Sequence, residues 1–465
     1  MHLKKFAKKY VGDRAFYAMV LGVAVPIMIQ NGITNFVSML DNIMVGQMGT
    51  ESMSGVAIVN QLLFVFSLCV FGGVSGAGIF GAQFYGNGNH EGLRSTLQFK
   101  LILSVILTAV GTAIYMAADS ALISLYLHDG SESGDIAATL QYGVEYMGVM
   151  LIGLLPFAFT QAYASTLRET GETIVPMLAG VAAVLVNLCL NYVLIFGHFG
   201  FEAMGVRGAA IATVISRFVE LAIIMIWTHM HLERNRFAEG LFTKFTMTGK
   251  LVRQIIVKGM PLMFNELLWS VGIAILNQCY SMRGLDAVAA INISSTISNV
   301  FSVVYMALGS AVGIIVGQKL GAGDMTGAKD TDNKMIAFAV ASCLLVGVLL
   351  FAVAPIFPAI YNTTDTVRAI SASLIRVTAL SMPMYAFANT SYFTLRSGGK
   401  TGITFVFDCG FVWVVALPTA MVLARLTSVP IVPMFAICQA IDLIKCLVGY
   451  ILVKRDVWIH NLVVE

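Results

Sequence analysis

A few carboxylic acids lie inside stretches of this chain that are otherwise apolar, and they are where its chemistry is possible. The segment 261–276, PLMFNELLWSVGIAIL, carries Glu266. Asp41 lies in VSMLDNIMVG and Asp408 in ITFVFDCGFVW, and Glu145 is similarly placed. A soluble enzyme can hide a catalytic acid in this way, and so can a protein that moves ions through a membrane. Low dielectric favours the neutral form of a carboxyl and a nearby cation favours the charged one, so Asp41, Glu266 and Asp408 are candidate proton carriers. Ringed by amide and hydroxyl oxygens, such an acid could instead hold Na⁺, a hard cation that prefers oxygen ligands. Asp41 with Asn187 and Asn191 would supply such a set if their segments converge.

Polar side chains recur at helical spacing around these acids. Asn31, Asn35, Ser38 and Asn42 form one stripe, and Asp41 sits at its edge. Asn60 and Gln61 follow in the next apolar run. Asn187 and Asn191 are one turn apart. Glu266, Ser270 and Asn277 share a face, as do Asn292, Ser295, Thr296 and Asn299. Polar groups in hydrocarbon are costly and mark functional positions by default, which predicts that these stripes line a polar cleft. The alternative is hydrogen bonding between packed helices. Arg217 with Glu220, and Asp442 with Lys445, are three residues apart and are expected to pair locally. Arg376 either faces the cleft or snorkels outward. Asp408 has no cation near it in the sequence.

The elements that must position these residues follow from composition. The 465 residues are 58% hydrophobic and 11% charged, with a mean hydropathy of +0.84. An ordinary soluble domain carries about 25% charged residues. Runs of about 20 apolar residues cross a bilayer. There are twelve here: 16–45, 53–83, 95–118, 137–166, 172–197, 207–231, 254–281, 286–318, 334–361, 369–395, 402–425 and 429–453. Lys4, Lys5, Lys8, Lys9 and Arg14 precede the first run. Arg234, Arg236, Lys244, Lys250, Arg253 and Lys258 join the sixth to the seventh, and Lys319, Lys329 and Lys334 join the eighth to the ninth. With twelve spans all of these fall on one side, which predicts that both termini are cytoplasmic. The basic start MHLKKFAKKY is followed by a run too long for a signal peptide, so it is read as part of the mature chain.

A shift of 235 residues aligns Pro26 with Pro261, Gly49 with Gly284, and Val65-Phe66-Ser67 with Val300-Phe301-Ser302. It also aligns Gln83 with Gln318, Gly86 with Gly321 and Gly88 with Gly323. TLRETGET (166–173) echoes TLRSGGKT (394–401). The expected architecture is an all-α integral membrane protein of twelve helices, built as two parallel six-helix repeats around a central cleft. Residues 1–231 form the first lobe, 232–253 a cytoplasmic linker and 254–465 the second lobe. Two similar lobes about a cleft suit alternating access.

Other chemistries find no footing. No GxxxxGK[ST] or HExxH sequence occurs, the seven histidines are scattered, and no basic patch interleaves with stacking aromatics, so ATP use, a bound metal and nucleic-acid binding are not expected. The seven cysteines lie in apolar runs without a CxxC and read as small packing residues.

The runs DNIMVGQMGTESMSGVAIVNQ (41–61), GAQFYGNGN (81–89), VGQKLGAGD (316–324), PFAFTQAYASTLRETGETIVPM (156–177), VNLCLNY (186–192) and MGVRGAAIATVIS (204–216) resemble the multidrug and toxic compound extrusion (MATE) transporters, nearest to the NorM/DinF-type branch. The resemblance covers about residues 14–455. It implies a secondary antiporter of the inner or plasma membrane, monomeric and without a cofactor, that exports organic cations in exchange for Na⁺ or H⁺ by rocking of two lobes. It implies a cation-coupling site at Asp41, Asn187, Asn191 and Thr213, with Asn191 standing where many relatives have an acid. The polar stripes and the charges inside the spans make Asn31, Asn35, Asn60, Gln61, Glu266, Ser270, Asn292, Asn299, Arg376 and Asp408 the candidates for the substrate cleft. A flippase for lipid-linked glycans, in the same superfamily, is the alternative, although those proteins resemble fourteen-span chains with a strongly cationic cavity.

Overall fold

In a computed structural model of the chain, the described residues are 9–126 and 135–464, without the side chains of 37–39, 42, 43 and 50. Lys4, Lys5 and Lys8, and the side chains of Ser38 and Asn42, therefore lie outside them. Every regular element among the described residues is helical. Twelve helices are long and apolar enough to cross a membrane, as the hydropathy predicts. In chain order they are α1 (Arg14–Gly46), α2 (Thr50–Gly86), α3 (His90–Ser124), α4 (Ile136–Glu169), α5 (Ile174–Phe196), α6 (Gly205–Met230), α7 (Gly249–Ser281), α8 (Leu285–Gly321), α9 (Met325–Val353), α10 (Asp365–Ser397), α11 (Thr401–Leu426) and α12 (Ile431–Lys454). Both α2 and α8 contain 37 residues. At about 1.5 Å per residue each exceeds the ~30 Å hydrocarbon layer and must tilt or project beyond it.

The chain divides into two compact units. One comprises residues 29–81 and 90–255. The other comprises 256–465 together with 1–28 and 82–89. Thus α1 changes unit two residues beyond Pro26, where the missing N–H removes a helical hydrogen bond, and the last turn of α2 packs with the second repeat.

Small residues let the helices approach. Gly208 of α6 lies so close to α5 that a Cβ would come within 2.6 Å of the Leu194 carbonyl oxygen. The ends of α2 and α8 cross reciprocally: a Cβ on Gly86 would lie 1.8 Å from the Gln318 carbonyl oxygen, and one on Gly321 would lie 1.9 Å from that of Gln83. The glycines aligned by the internal repeat thus meet the backbone of each other's helix. The Gln83 side chain completes this corner. Its Nε2 donates to the carbonyls of Ser397 and His460 at 2.9 and 3.2 Å, and its Oε1 accepts from the Leu462 N–H at 2.7 Å.

Breaks in the helices sit beside polar side chains. A 3₁₀ turn, Leu151–Gly153, interrupts α4 just before Pro156. Arg217 of α6 donates to the Gly153 carbonyl at 3.2 Å and stacks 5.1 Å from the Phe157 ring centroid. The expected Arg217–Glu220 ion pair does not form among the described residues, because the interrupted helix offers Arg217 a backbone acceptor. In α11, residues 406–410 and 412–416 wind as π-helix, and Asn265 Oδ1 accepts from the Cys409 N–H at 3.2 Å.

Sequence inspection did not single out one buried charge pair. Lys100 of α3 is fully enclosed, and its Nζ lies 2.6 and 2.8 Å from the two Glu169 carboxylate oxygens. Thr166 Oγ1 accepts from the same ammonium at 2.9 Å. A buried pair with its remaining donors satisfied resists disruption, since removing one partner strands the other. It ties α3, about three turns in from its start, to the end of α4 and so clamps the first repeat.

Candidate functional site

Two acid centres emerge, one in each unit. In the first, α5 presents Asn187 and Asn191 one turn apart, α1 brings Asp41 and α6 brings Thr213. Asn191 Nδ2 donates to Asp41 Oδ1 at 2.6 Å and lies 3.2 Å from the Asn187 side chain. Asn187 lies 3.2 Å from Thr213 Oγ1. With its amide nitrogen turned to Asp41, Asn187 donates to both carboxylate oxygens at 3.0 and 3.2 Å and accepts from Thr213. The four residues singled out from the resemblance thus share one cluster. Asn187 and Asn191 are buried. Asn191 Oδ1 is buried with no hydrogen-bond partner among the described residues, so an unsatisfied acceptor sits beside the acid. No ion pair to Asp41 occurs among the described residues.

Other polar positions of this unit are more open. Asn60 accepts from the buried Tyr146 hydroxyl at 3.3 Å. Asn35 and Gln61 are exposed and Asn31 is half-buried. None of these three is drawn into the Asp41 cluster among the hydrogen bonds described.

The second centre differs in charge. Asp408 of α11 receives Lys445 Nζ of α12 at 2.5 Å and Asn265 Nδ2 of α7 at 3.0 Å. Lys445 also lies 5.5 Å from the Phe407 ring centroid. The expected Asp442–Lys445 pair is therefore replaced: the lysine closes on the carboxylate of the neighbouring helix, and Asp408, without a cation near it in sequence, acquires one in space. Glu266, half-buried on α7, accepts from the Tyr392 hydroxyl of α10 at 3.4 Å. Asn265 and Tyr392 were not among the residues picked out, and Lys445 was picked out only as a partner for Asp442. Asn265 adjoins Glu266 but points about 100° away from the stripe of Glu266, Ser270 and Asn277.

Part of the polar stripe of α7 and α8 lines a cavity of about 220 Å³ in this unit, with Asn277, Ser298, Asn299, Ser302 and Tyr385 in its wall. Tyr385 donates to Gln439 beside it. Ser270 and Asn292 do not line this cavity; Ser270 is half-buried and Asn292 is exposed. Arg376 is exposed on α10, with its guanidinium 5.8 Å from the Phe351 ring centroid. Among the described residues no group of three or more His, Cys, Asp or Glu could hold a metal ion.

Comparison with known proteins follows the same outline. The chain is 25% identical over 408 residues to a probable multidrug resistance protein NorM of Thermotoga maritima, covering 87% of this chain and 85% of that protein. It is 24% identical to a probable multidrug resistance protein YoeA of Bacillus subtilis, covering 88% and 87%. The fold matches that of a solved multidrug resistance MATE family transporter of the MOP superfamily in an outward-facing conformation. The TM-score is 0.85, at 20% identity, over 94% of this chain and 95% of that one. The MatE family profile matches residues 26–193 and 261–422, the greater part of both repeats. Twelve apolar helices, an internal repeat and this match together make the chain a multi-pass membrane protein of the MatE family.

Proposed function

We propose that this protein is a secondary active exporter of amphipathic organic cations, exchanging them for Na⁺ or H⁺ by alternating access of its two repeats. The relatives described above carry multidrug resistance in their names, which supports the substrate class. The excess of Lys and Arg before α1 and between α6 and α7 supports a plasma-membrane protein with both termini cytoplasmic. It is taken to act as a monomer with no cofactor beyond the coupling ion. One observation carries the coupling reading: Asp41 is held by neutral amides alone, beside the unpartnered Asn191 oxygen. A carboxylate so placed binds or releases a monovalent cation without first displacing a protein cation. With its amide nitrogen toward Asp41, Asn187 adds a second neutral donor to the carboxylate. Glu266, in the second unit, is assigned to the cationic substrate.

The test is ethidium efflux from cells expressing wild type or Asp41→Asn, with Na⁺ and pH varied separately. The expected result is wild-type efflux that depends on one of the two ions and falls at least about tenfold in the variant, the scale of losing a hydrogen bond to a charged group. Unchanged efflux in Asp41→Asn would sink the coupling assignment. A wild type that expels no dye or drug would favour the glycan flippase.

A further inference from the structure

A cavity of about 360 Å³ opens between α9, α10, α12 and the residues just before α1. It is separate from both acid centres and does not enter the transport reading. Its floor is apolar, with Ile336, Phe387, Val453 and Trp458, while Lys9, Lys329 and Lys454 line it along with Asp332 and Asp456. Trp458 is fully buried and donates to the Val453 carbonyl at 3.2 Å, so one wall is rigid.

The charges here are unevenly satisfied. Asp332 is 1% exposed and accepts from Thr394 Oγ1 at 2.5 Å. Asp456 takes Lys329 on its Oδ2. That leaves Lys9 and Lys454 with no carboxylate partner among the described residues; each lies over a tyrosine ring, at 5.1 Å from Tyr10 and 5.4 Å from Tyr450. Asp456 adopts a left-handed backbone, φ +55°, that non-glycine residues rarely take. Its Oδ1 is buried with no hydrogen-bond partner among the described residues. The site therefore combines three lysines with two carboxylates, a net charge of +1, an acceptor in need of a donor, and an apolar floor. A single phosphodiester with hydroxyls beyond it complements all of these features.

We infer that this cavity seats the phosphodiester headgroup of an anionic membrane lipid of the phosphatidylglycerol class. Lys9 and Lys454 would take the phosphate oxygens, a glycerol hydroxyl would donate to Asp456 Oδ1, and the first acyl carbons would lie over Phe387 and Val453. A lipid fits better than free phosphate because the floor is apolar and because α9 and α12 are among the least enclosed of the twelve helices. Basic recesses between membrane helices are suited to such headgroups, and each lysine near one contributes about 1 kcal/mol. At 360 Å³ the cavity falls within the size of ordinary small-molecule sites, about 300–1,000 Å³.

Native mass spectrometry of the detergent-purified full chain, titrated with phosphatidylglycerol, phosphatidylcholine or inorganic phosphate, tests this. The expected result is one phosphatidylglycerol per chain, retained at collision energies that strip phosphatidylcholine and not displaced by millimolar phosphate. Lys9→Ala/Lys454→Ala should weaken retention by about thirtyfold, while Lys454→Arg keeps it. Equal retention of the two lipids would overturn the assignment, as would full displacement by phosphate. So would wild-type retention in a double variant that elutes as wild type on gel filtration. If the double variant does not fold, Lys9→Ala alone, outside the membrane helices, should still weaken retention, and wild-type retention there overturns the site.

Discussion

The two acid centres are built from the same residue types and differ in one partner. Asp41 in the first unit is approached by neutral amides, with no cation on it among the described residues. Asp408 in the second is approached by an amide and an ammonium. The first carboxyl has no protein cation beside it among the described residues, whereas the second is paired with Lys445. A transporter needs one site whose charge is compensated only intermittently, and a centre clamped by its own lysine cannot serve in that way. On the proposed function, this asymmetry assigns the coupling ion to the Asp41 centre and a structural role to Asp408.

The largest effect that would break this contrast is on stability. Lys445→Ala leaves Asp408 enclosed without a cation and is expected to cost about 3–5 kcal/mol, read as a lowered melting temperature in detergent. Lys445→Ala/Asp408→Asn should recover most of it; a double variant no more stable than the single would mean that Lys445 acts through its contacts with Phe407 rather than through charge. A smaller effect is expected at the first centre. Asn191→Ala removes a donor to a charged group and should shift the concentration of the coupling ion giving half-maximal efflux by about tenfold. It should leave the melting temperature nearly unchanged. Thr213→Ala touches only the neutral end of the network and should shift that concentration about threefold. The smallest effect is expected from Glu266→Gln, a rise of about twofold to threefold in the apparent KM for ethidium, on the scale of an exposed charge pair. The dependence on pH and Na⁺ should be unaltered. A KM equal to wild type would reduce Glu266 to a partner of Tyr392.

The fold was legible because its signal is redundant. Each span repeats the hydropathy message over about 20 residues, and a 235-residue shift is supported by many identities at once. The Asp41 cluster was legible in part, since Asn187 and Asn191 announce a shared face by their spacing while Thr213 entered only through resemblance. Lys445 was misassigned for a physical reason. Proximity along one helix favours Asp442, but α12 packs against the π-helical stretch of α11 that carries Asp408, and Lys445 pairs with that carboxylate instead. Lys100 and Glu169 went unnoticed because each stands near the end of an apolar run, where a charge ordinarily reaches water; only the packing of α2 glycines over Glu169 shows that neither does. Long-range pairing of single charges has no periodicity, and periodicity is what sequence reading detects.

The reciprocal crossing of Gly86 and Gly321 bears on each half taken alone. A contact in which one residue touches the other's helix, and the other returns the same contact, is what two identical subunits make across a twofold axis. Here it is made by two halves of one chain. Each half carries both the glycine and the glutamine backbone that the crossing needs, so each half is complementary to itself at this corner. A half expressed alone should therefore tend to pair with its own copy through this corner.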